Sequence, residues 1–217
     1  MYLSRLKLDL TKRETLKALT DPGRIHGAVE RSFPGERQRN LWRIDTLNGG
    51  YYLMILSPRR PNLKEAVDRF GNADAEPAFE TKDYDPLLAR IRPGMELRFR
   101  LTANPVNSVG NRPAGSDVSE RGIVMAHITP KHQKDWLMKR SEKNGFSLAE
   151  TEFDVTSSRW YKFKYHDSPR PITLLGVTYE GLLTVTDAEL FRHILVNGLG
   201  KGKPYGMGLM TVMGTLG

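Results

Sequence analysis

His26 is the side chain in this sequence best suited to hold or release a proton near neutral pH. On a helical wheel the apolar stripe Ile25, Ala28, Val29 and Phe33 has His26 on one border, with Arg24 and Arg31 on the other. That places the imidazole at the edge of a helix, partly open to solvent. The same spacing also suits an ordinary boundary histidine. The second feature runs from Gly198 to Gly208 and holds five glycines, Gly200 and Gly202 among them, with Lys201 and Lys203. Glycines let a backbone approach a phosphate and aim several N–H groups at it, while the lysines supply charge. It is not a Walker loop, because the Lys-Ser/Thr ending is absent and a strand, not a helix, follows. A flexible surface turn is the plainer alternative. The third is Arg159 to His166. In a strand, Trp160, Lys162, Lys164 and His166 share one face, while Tyr161, Phe163 and Tyr165 share the other. An aromatic face anchored in the core with a cationic face toward phosphates suits RNA. An edge strand guarded by lysines reads the same way.

Composition removes several other chemistries. The chain has no Cys, which excludes disulfides and thiol nucleophiles and argues against structural zinc. No His/Asp/Glu cluster has the spacing of a two-metal nuclease, and no Gly-x-Ser-x-Gly elbow is present. His127 and His132 are five apart across a strand–helix junction and read as structural or solvent-facing. A net charge of +8 and a pI of about 9.7 favour polyanionic partners, since each cation near a phosphate releases condensed counterions. No apolar run approaches the ~20 residues of a membrane span. The opening residues alternate as a strand does and lack the apolar block of a secretory signal, so a cytoplasmic protein is expected.

The elements that must position these groups follow from periodicity and punctuation. Leu3, Leu6, Leu8 and Leu10 predict an opening strand. Asp21-Pro22 starts the helix of His26, and Pro34-Gly35 ends it. Leu41–Ile44 and Tyr51–Leu56 read as strands joined around Asn48-Gly49-Gly50, followed by a helix from Asn62 to Phe70. Residues 71–86 look like a connector with one edge strand. In the second half, Leu97, Phe99 and Leu101 alternate with Arg98, Arg100 and Thr102. Residues 104–122 read as a long mobile loop, Gly122–Ile128 as a strand, and Pro130–Asn144 as a helix closed by Gly145. A strand-rich stretch at 159–185 contains a hairpin. Asp187 caps a helix through Asn197, and a strand at Leu209–Met213 closes the chain. Strand, helix, two strands, helix, strand thus occurs twice, which predicts an α+β fold of two tandem ferredoxin-like (RRM-like) domains. Each would be an antiparallel sheet with helices on one face, covering residues 1–90 and 91–217.

Four stretches of this chain, collinear over nearly its whole length, resemble one family. They are Met1-Tyr2-Leu3-Ser4-Arg5-Leu6; His26 with Phe33-Pro34 and Leu41-Trp42-Arg43; Phe99-Arg100-Leu101-Thr102-Ala103-Asn104-Pro105; and Tyr179-Glu180-Gly181-Leu182-Leu183-Thr184-Val185 with the helix and Gly-rich segment after it. The chain resembles the CasE-type CRISPR-associated endoribonucleases. The resemblance implies paired ferredoxin-like domains with a glycine-rich loop near their interface. It also implies cleavage of CRISPR repeat RNA at the 3′ base of a hairpin, with the product kept bound inside the Cascade surveillance complex beside its other subunits. The family's catalytic histidine maps onto His26. Relatives often carry a tyrosine three residues earlier, where this chain has Gly23. Of the basic positions that follow the histidine, Arg31 matches and Gly27 does not.

Together these readings assign catalysis to His26 and RNA contact to Arg24, Arg31, Lys162, Lys164, Gly200, Lys201, Gly202 and Lys203. No metal or cofactor is expected. The ribose 2′-hydroxyl would be the nucleophile, with His26 as base or as acid. Two alternatives come from other classes: a non-catalytic RNA-binding subunit of the same assembly, and a general single-strand RNA binder.

Overall fold

The protein is described here by a computed structural model covering residues 1–36, 38–72, 74–109, 123–164 and 171–215. The first half runs β1 (Tyr2–Lys7), α1 (Arg13–Thr20), α2 (Pro22–Arg31), β2 (Leu41–Leu47), β3 (Gly50–Ser57), α3 (Lys64–Phe70), β4 (Phe79–Asp83) and α4 (Asp85–Arg90). Its antiparallel sheet has the order β2-β3-β1-β4, the arrangement that a strand–helix–strand unit used twice produces. Register follows the apolar pattern: Leu6 on β1 lies opposite Leu53 on β3. Ile25, Ala28 and Val29 of α2 bury against Leu6, Leu53, Ile55 and Phe70. Burying one aliphatic side chain of this size stabilises by about 1.5–3 kcal/mol, so the sheet fixes the helix that carries His26.

The second half runs β5 (Glu96–Ala103), β6 (Val106–Val109), β7 (Ile123–Ala126), α5 (Pro130–Ser141), β8 (Phe146–Ser147), β9 (Phe153–Phe163), β10 (Ile172–Val185), α6 (Ala188–Asn197) and β11 (Met210–Gly214). The same topology returns as β11-β5-β10, with β8 and β9 both pairing with the far side of β10. Phe99, Leu101, Trp136, Leu137, Tyr179, Phe191 and Leu195 form its core. Thr129 and Asp187 cap α5 and α6 through their side chains, on the N–H groups of His132 and of Glu189 and Leu190. The paired ferredoxin-like units expected from the sequence are present.

Several boundaries differ from expectation. α1 is a further helix, and its flanking Lys12 makes no side-chain cap, so it carries no start signal. α4 begins at Asp85-Pro86, where Pro sits inside the first turn rather than marking a loop. β1 stops at Lys7, and Leu10 is exposed. The His26 helix ends at Arg31, where Ser32 N–H turns back to the carbonyl of Ala28, before Pro34 is reached. Inside the stretch read as a loop, β6 pairs antiparallel with β7; residues 110–122 lie outside the described residues.

The two halves meet across a buried ion pair. Arg43 on β2 is 2 % exposed and grips Asp45 through Nε and Nη2 at 2.6 and 2.7 Å. Its Nη1 donates to the carbonyls of Arg100 and Leu209, and its Nη2 to Thr211 Oγ1, each at 2.8 Å. All three acceptors belong to the second half. Leu41 and Leu56 from the first sheet pack with Leu209 beside it. Among the described residues, no helix is long and apolar enough to cross a membrane.

Candidate active site and RNA interface

Asp21 caps α2 by accepting from Gly23 N–H at 3.1 Å, and Pro22 occupies the first turn. With Ile25, Ala28 and Val29 turned inward, His26 falls half-buried on the helix border, as its spacing predicts. It lines a cleft of about 610 Å³ together with Glu30, Gln38, Arg39, Asn40, Gly200, Lys201, Gly202, Lys203 and Pro204. The imidazole from the first half and the glycine-rich turn from the second therefore share one cavity wall.

That turn is held at several points. Leu199 N–H donates to Gly208 O at 2.9 Å, Gly208 N–H donates to Thr102 O, and Lys201 bridges to Asn104. A short 3₁₀ turn, Lys203–Tyr205, is bracketed by Gly202 at φ +84° and Gly206 at φ +80°. Both lie in the left-handed region that side chains resist. A Cβ on Gly206 would lie 2.6 Å from the Trp42 ring, so this glycine is also required by close approach. Trp42 Nε1 donates to Pro204 O at 3.2 Å, tying the turn to the first sheet. Tyr205 sits with its ring centroid 6.4 Å from that of His26 and 5.0 Å from that of Phe163, edge-on in both cases.

Electrostatically the cleft is cationic on one side. Burial and then the neighbouring Arg39 guanidinium hold the Lys203 ammonium below the usual lysine range. A phosphate placed between them would relieve both penalties.

The structure brings together His26, Gly200, Lys201, Gly202 and Lys203. It does not bring Arg24 or Arg31 to that cleft. Arg24 faces α1 and Asp21, with contacts of 3.2 Å to Glu14 and 3.4 Å to Asp21. Arg31 pairs with Glu65 of α3 at 2.6 Å. All three pairs are solvent-screened and weak, each worth about 0–1 kcal/mol, so either arginine can exchange its partners at small cost. Lys162 and Lys164 are exposed beside Trp160, while Phe163 is buried and Tyr161 partly so. The alternation read from the sequence holds through residue 164; Tyr165 and His166 lie outside the described residues. Burial pushes the Tyr161 hydroxyl above its ordinary pKa, against the opposing influence of Arg159, whose guanidinium lies 5.2 Å from the ring centre. His127 and His132 stand 6.1 Å apart, centroid to centroid, and line no part of the His26 cleft.

Arg39, Gln38, Asn40 and Tyr205 were missed by the sequence reading. The first three precede β2 in a segment with neither periodicity nor a glycine pattern. Tyr205 lay inside the glycine-rich segment and could have been found as its one aromatic residue. Position 23 faces the hairpin: a Cβ there would stand 3.8 Å from the Phe163 ring.

With this geometry in place, comparison with known proteins is informative. The sequence model of the family described as CRISPR associated protein matches residues 1–213. The chain belongs to this family. It is 29 % identical over 224 residues to the CRISPR-associated endoribonuclease Cse3 of Thermus thermophilus, covering 98 % of this chain and 99 % of that protein. Cse3 bound to a 19-nucleotide RNA superposes with a TM-score of 0.79 at 26 % identity, over 98 % of this chain and all of the other. Cas6e of Escherichia coli matches in fold, with a TM-score of 0.69 at 21 % identity over 99 % of this chain and all of that one. In this chain the cleft of His26 and the glycine-rich turn joins residues from both ferredoxin-like units.

Proposed function

We propose that this protein is an endoribonuclease that cuts CRISPR repeat RNA at the 3′ base of its hairpin without a metal ion. The observation that carries the reading is the shared cleft of His26 and the glycine-rich turn. RNA supplies its own nucleophile. Attack of the 2′-hydroxyl on the adjacent phosphorus forms the 2′,3′-cyclic phosphate and expels the 5′-oxygen, which leaves as a hydroxyl once protonated. His26 takes the proton from the 2′-hydroxyl or gives one to the leaving oxygen, a contribution of roughly 10²–10⁴-fold. Lys203, Lys201 and Arg39 offset charge on the phosphorane oxygens, and backbone N–H groups of the turn fix the phosphate. Lys162 and Lys164 on the exposed face of β9 follow the stem through its backbone, which suits an A-form helix whose deep groove side chains cannot read.

The domain division belongs to this proposal. Residues 1–90 carry the histidine, and residues 91–217 carry the phosphate turn and the basic hairpin. The T. thermophilus relative is named an endoribonuclease, and fold relatives occur in a CRISPR RNA-guided surveillance complex. In this reading the product stays bound and the protein joins the other subunits of such a complex in the cytoplasm.

The test uses purified protein and its own genomic repeat RNA. His26→Ala abolishes cleavage while repeat binding stays nearly unchanged. A deoxyribose at the scissile nucleotide blocks the wild type, and EDTA has little effect. Undiminished cutting of the deoxy substrate would remove the 2′-hydroxyl mechanism. Gly23, standing where relatives often carry tyrosine, favours one second reading: a non-catalytic RNA-binding subunit. A denaturing gel showing tight binding but no cut repeat RNA would select it.

A further inference from the structure

Tyr205 packs against the proposed catalytic histidine but is not among the residues that line the cleft. His26, Lys203 and Pro204 line the cavity with the glycine-rich turn. The Tyr205 ring instead lines a separate cavity of about 450 Å³ between the two sheets, with Tyr51, Arg100, Arg159 and Tyr161. Tyr205 thus meets the imidazole from outside the lining of that cleft.

Its own position is over-determined. Tyr205 N–H donates to Gly202 O at 2.9 Å, the turn is fixed by glycines at both ends, and Trp42 holds the preceding carbonyl. On the far side, Phe163, 6 % exposed at the end of β9, packs edge-on against the phenol ring. Phe163, Tyr205 and His26 form a row of three rings with interplanar angles of 61° at each step. Edge-to-face pairs prefer centroid separations of about 4.5–7 Å, and both steps fall in that range. A histidine on a helix border has two soft side-chain torsions and solvent on one side, so packing must select its rotamer.

We infer that Tyr205 is a positioning residue, whose ring fixes the His26 imidazole against the wall of the cleft and so sets the rate of the chemical step. The inference rests on His26 being the catalytic group. It assigns the role to the aromatic ring, which packs edge-on against both His26 and Phe163.

The experiment compares full-length Tyr205→Phe, Tyr205→Leu and His26→Ala with wild type on repeat hairpin RNA. Single-turnover cleavage at saturating enzyme is measured beside RNA affinity and melting temperature. Tyr205→Leu lowers the cleavage rate by about 10²-fold, the scale of a misplaced catalytic group, with affinity little changed. Tyr205→Phe restores the rate. In ¹H–¹³C spectra of histidine-labelled protein, the His26 ring resonance, assigned by its loss in His26→Ala, shifts in Tyr205→Leu and stays near its place in Tyr205→Phe. If Leu lowers the melting temperature, Tyr205→Met, bulky but not planar, repeats the comparison. Wild-type cleavage in Tyr205→Leu, an unmoved His26 resonance, or a Phe variant as slow as Leu would each overturn the role of the ring. Cleavage surviving in His26→Ala would instead overturn the catalytic assignment itself. An inactive His26→Ala with a fully active Tyr205→Leu would sink only the positioning role.

Discussion

Arg43 and Lys203 are both cations at the junction of the two halves, one on the edge strand of the first sheet and one on the turn before the last strand of the second. Arg43 is sealed in: it donates to both oxygens of Asp45, to two carbonyls and to a threonine hydroxyl. Lys203 stands beside Arg39 in an open cleft, its charged form disfavoured by partial burial and by the like charge. A planar fork with five donors suits a fixed set of acceptors, whereas an ammonium on a flexible stem suits a ligand that comes and goes. The first cation has spent its hydrogen bonds on the fold. In the proposed function, the second awaits a phosphate that arrives later.

This contrast can be broken most forcefully at Arg43. Arg43→Ala leaves Asp45 buried with Arg100, at 3.4 Å, as its remaining ion-pair partner among the described residues, and removing one partner of a buried pair costs about 3–5 kcal/mol. Chemical denaturation should show that loss. A midpoint equal to wild type would mean the pair holds nothing together. Lys203→Gln should do the opposite, leaving the melting temperature near wild type while weakening RNA binding by about 1.5–3 kcal/mol, the value of a charged hydrogen bond. The sign of its pH dependence follows from the lowered pKa. Binding needs the ammonium, so affinity declines as pH rises through a value below that of an ordinary lysine, and Lys203→Gln flattens that step. In the free protein the sign is reversed, because the unfolded chain holds this proton more tightly and stability rises with pH over the same window. The smallest effect belongs to the hairpin. Lys162→Ala with Lys164→Ala should lower the slope of log affinity against log salt by about one per lysine, with cleavage of saturated RNA unchanged. An unaltered slope would take the stem away from that face.

The same contrast separates what was legible in the sequence from what was not. His26 was readable because Ile25, Ala28 and Val29 define a helix face whose border can be drawn without coordinates. The glycine-rich turn was readable because five glycines within eleven residues have few other uses. Arg43 was not readable. In β2, Leu41, Trp42 and Arg43 are all buried, since the strand is covered on both faces, and the period-two alternation that would have sorted in from out disappears. That Arg24 and Arg31 pair with Glu14 and Glu65 was not readable either, because those acids come from helices whose packing against α2 is a tertiary fact. Arg39 entered the cleft from a segment without periodicity, and only the folded chain shows where it leads.

The Trp42 indole, from the first half, holds a carbonyl of the turn that belongs to the second. Expressed as two separate fragments, neither piece would own a finished cradle: one would keep an imidazole with no opposing wall, the other a loop with its fastening gone. Activity in a split version should therefore return only on reassociation, which makes ribonuclease output a reporter of whether the fragments have found each other.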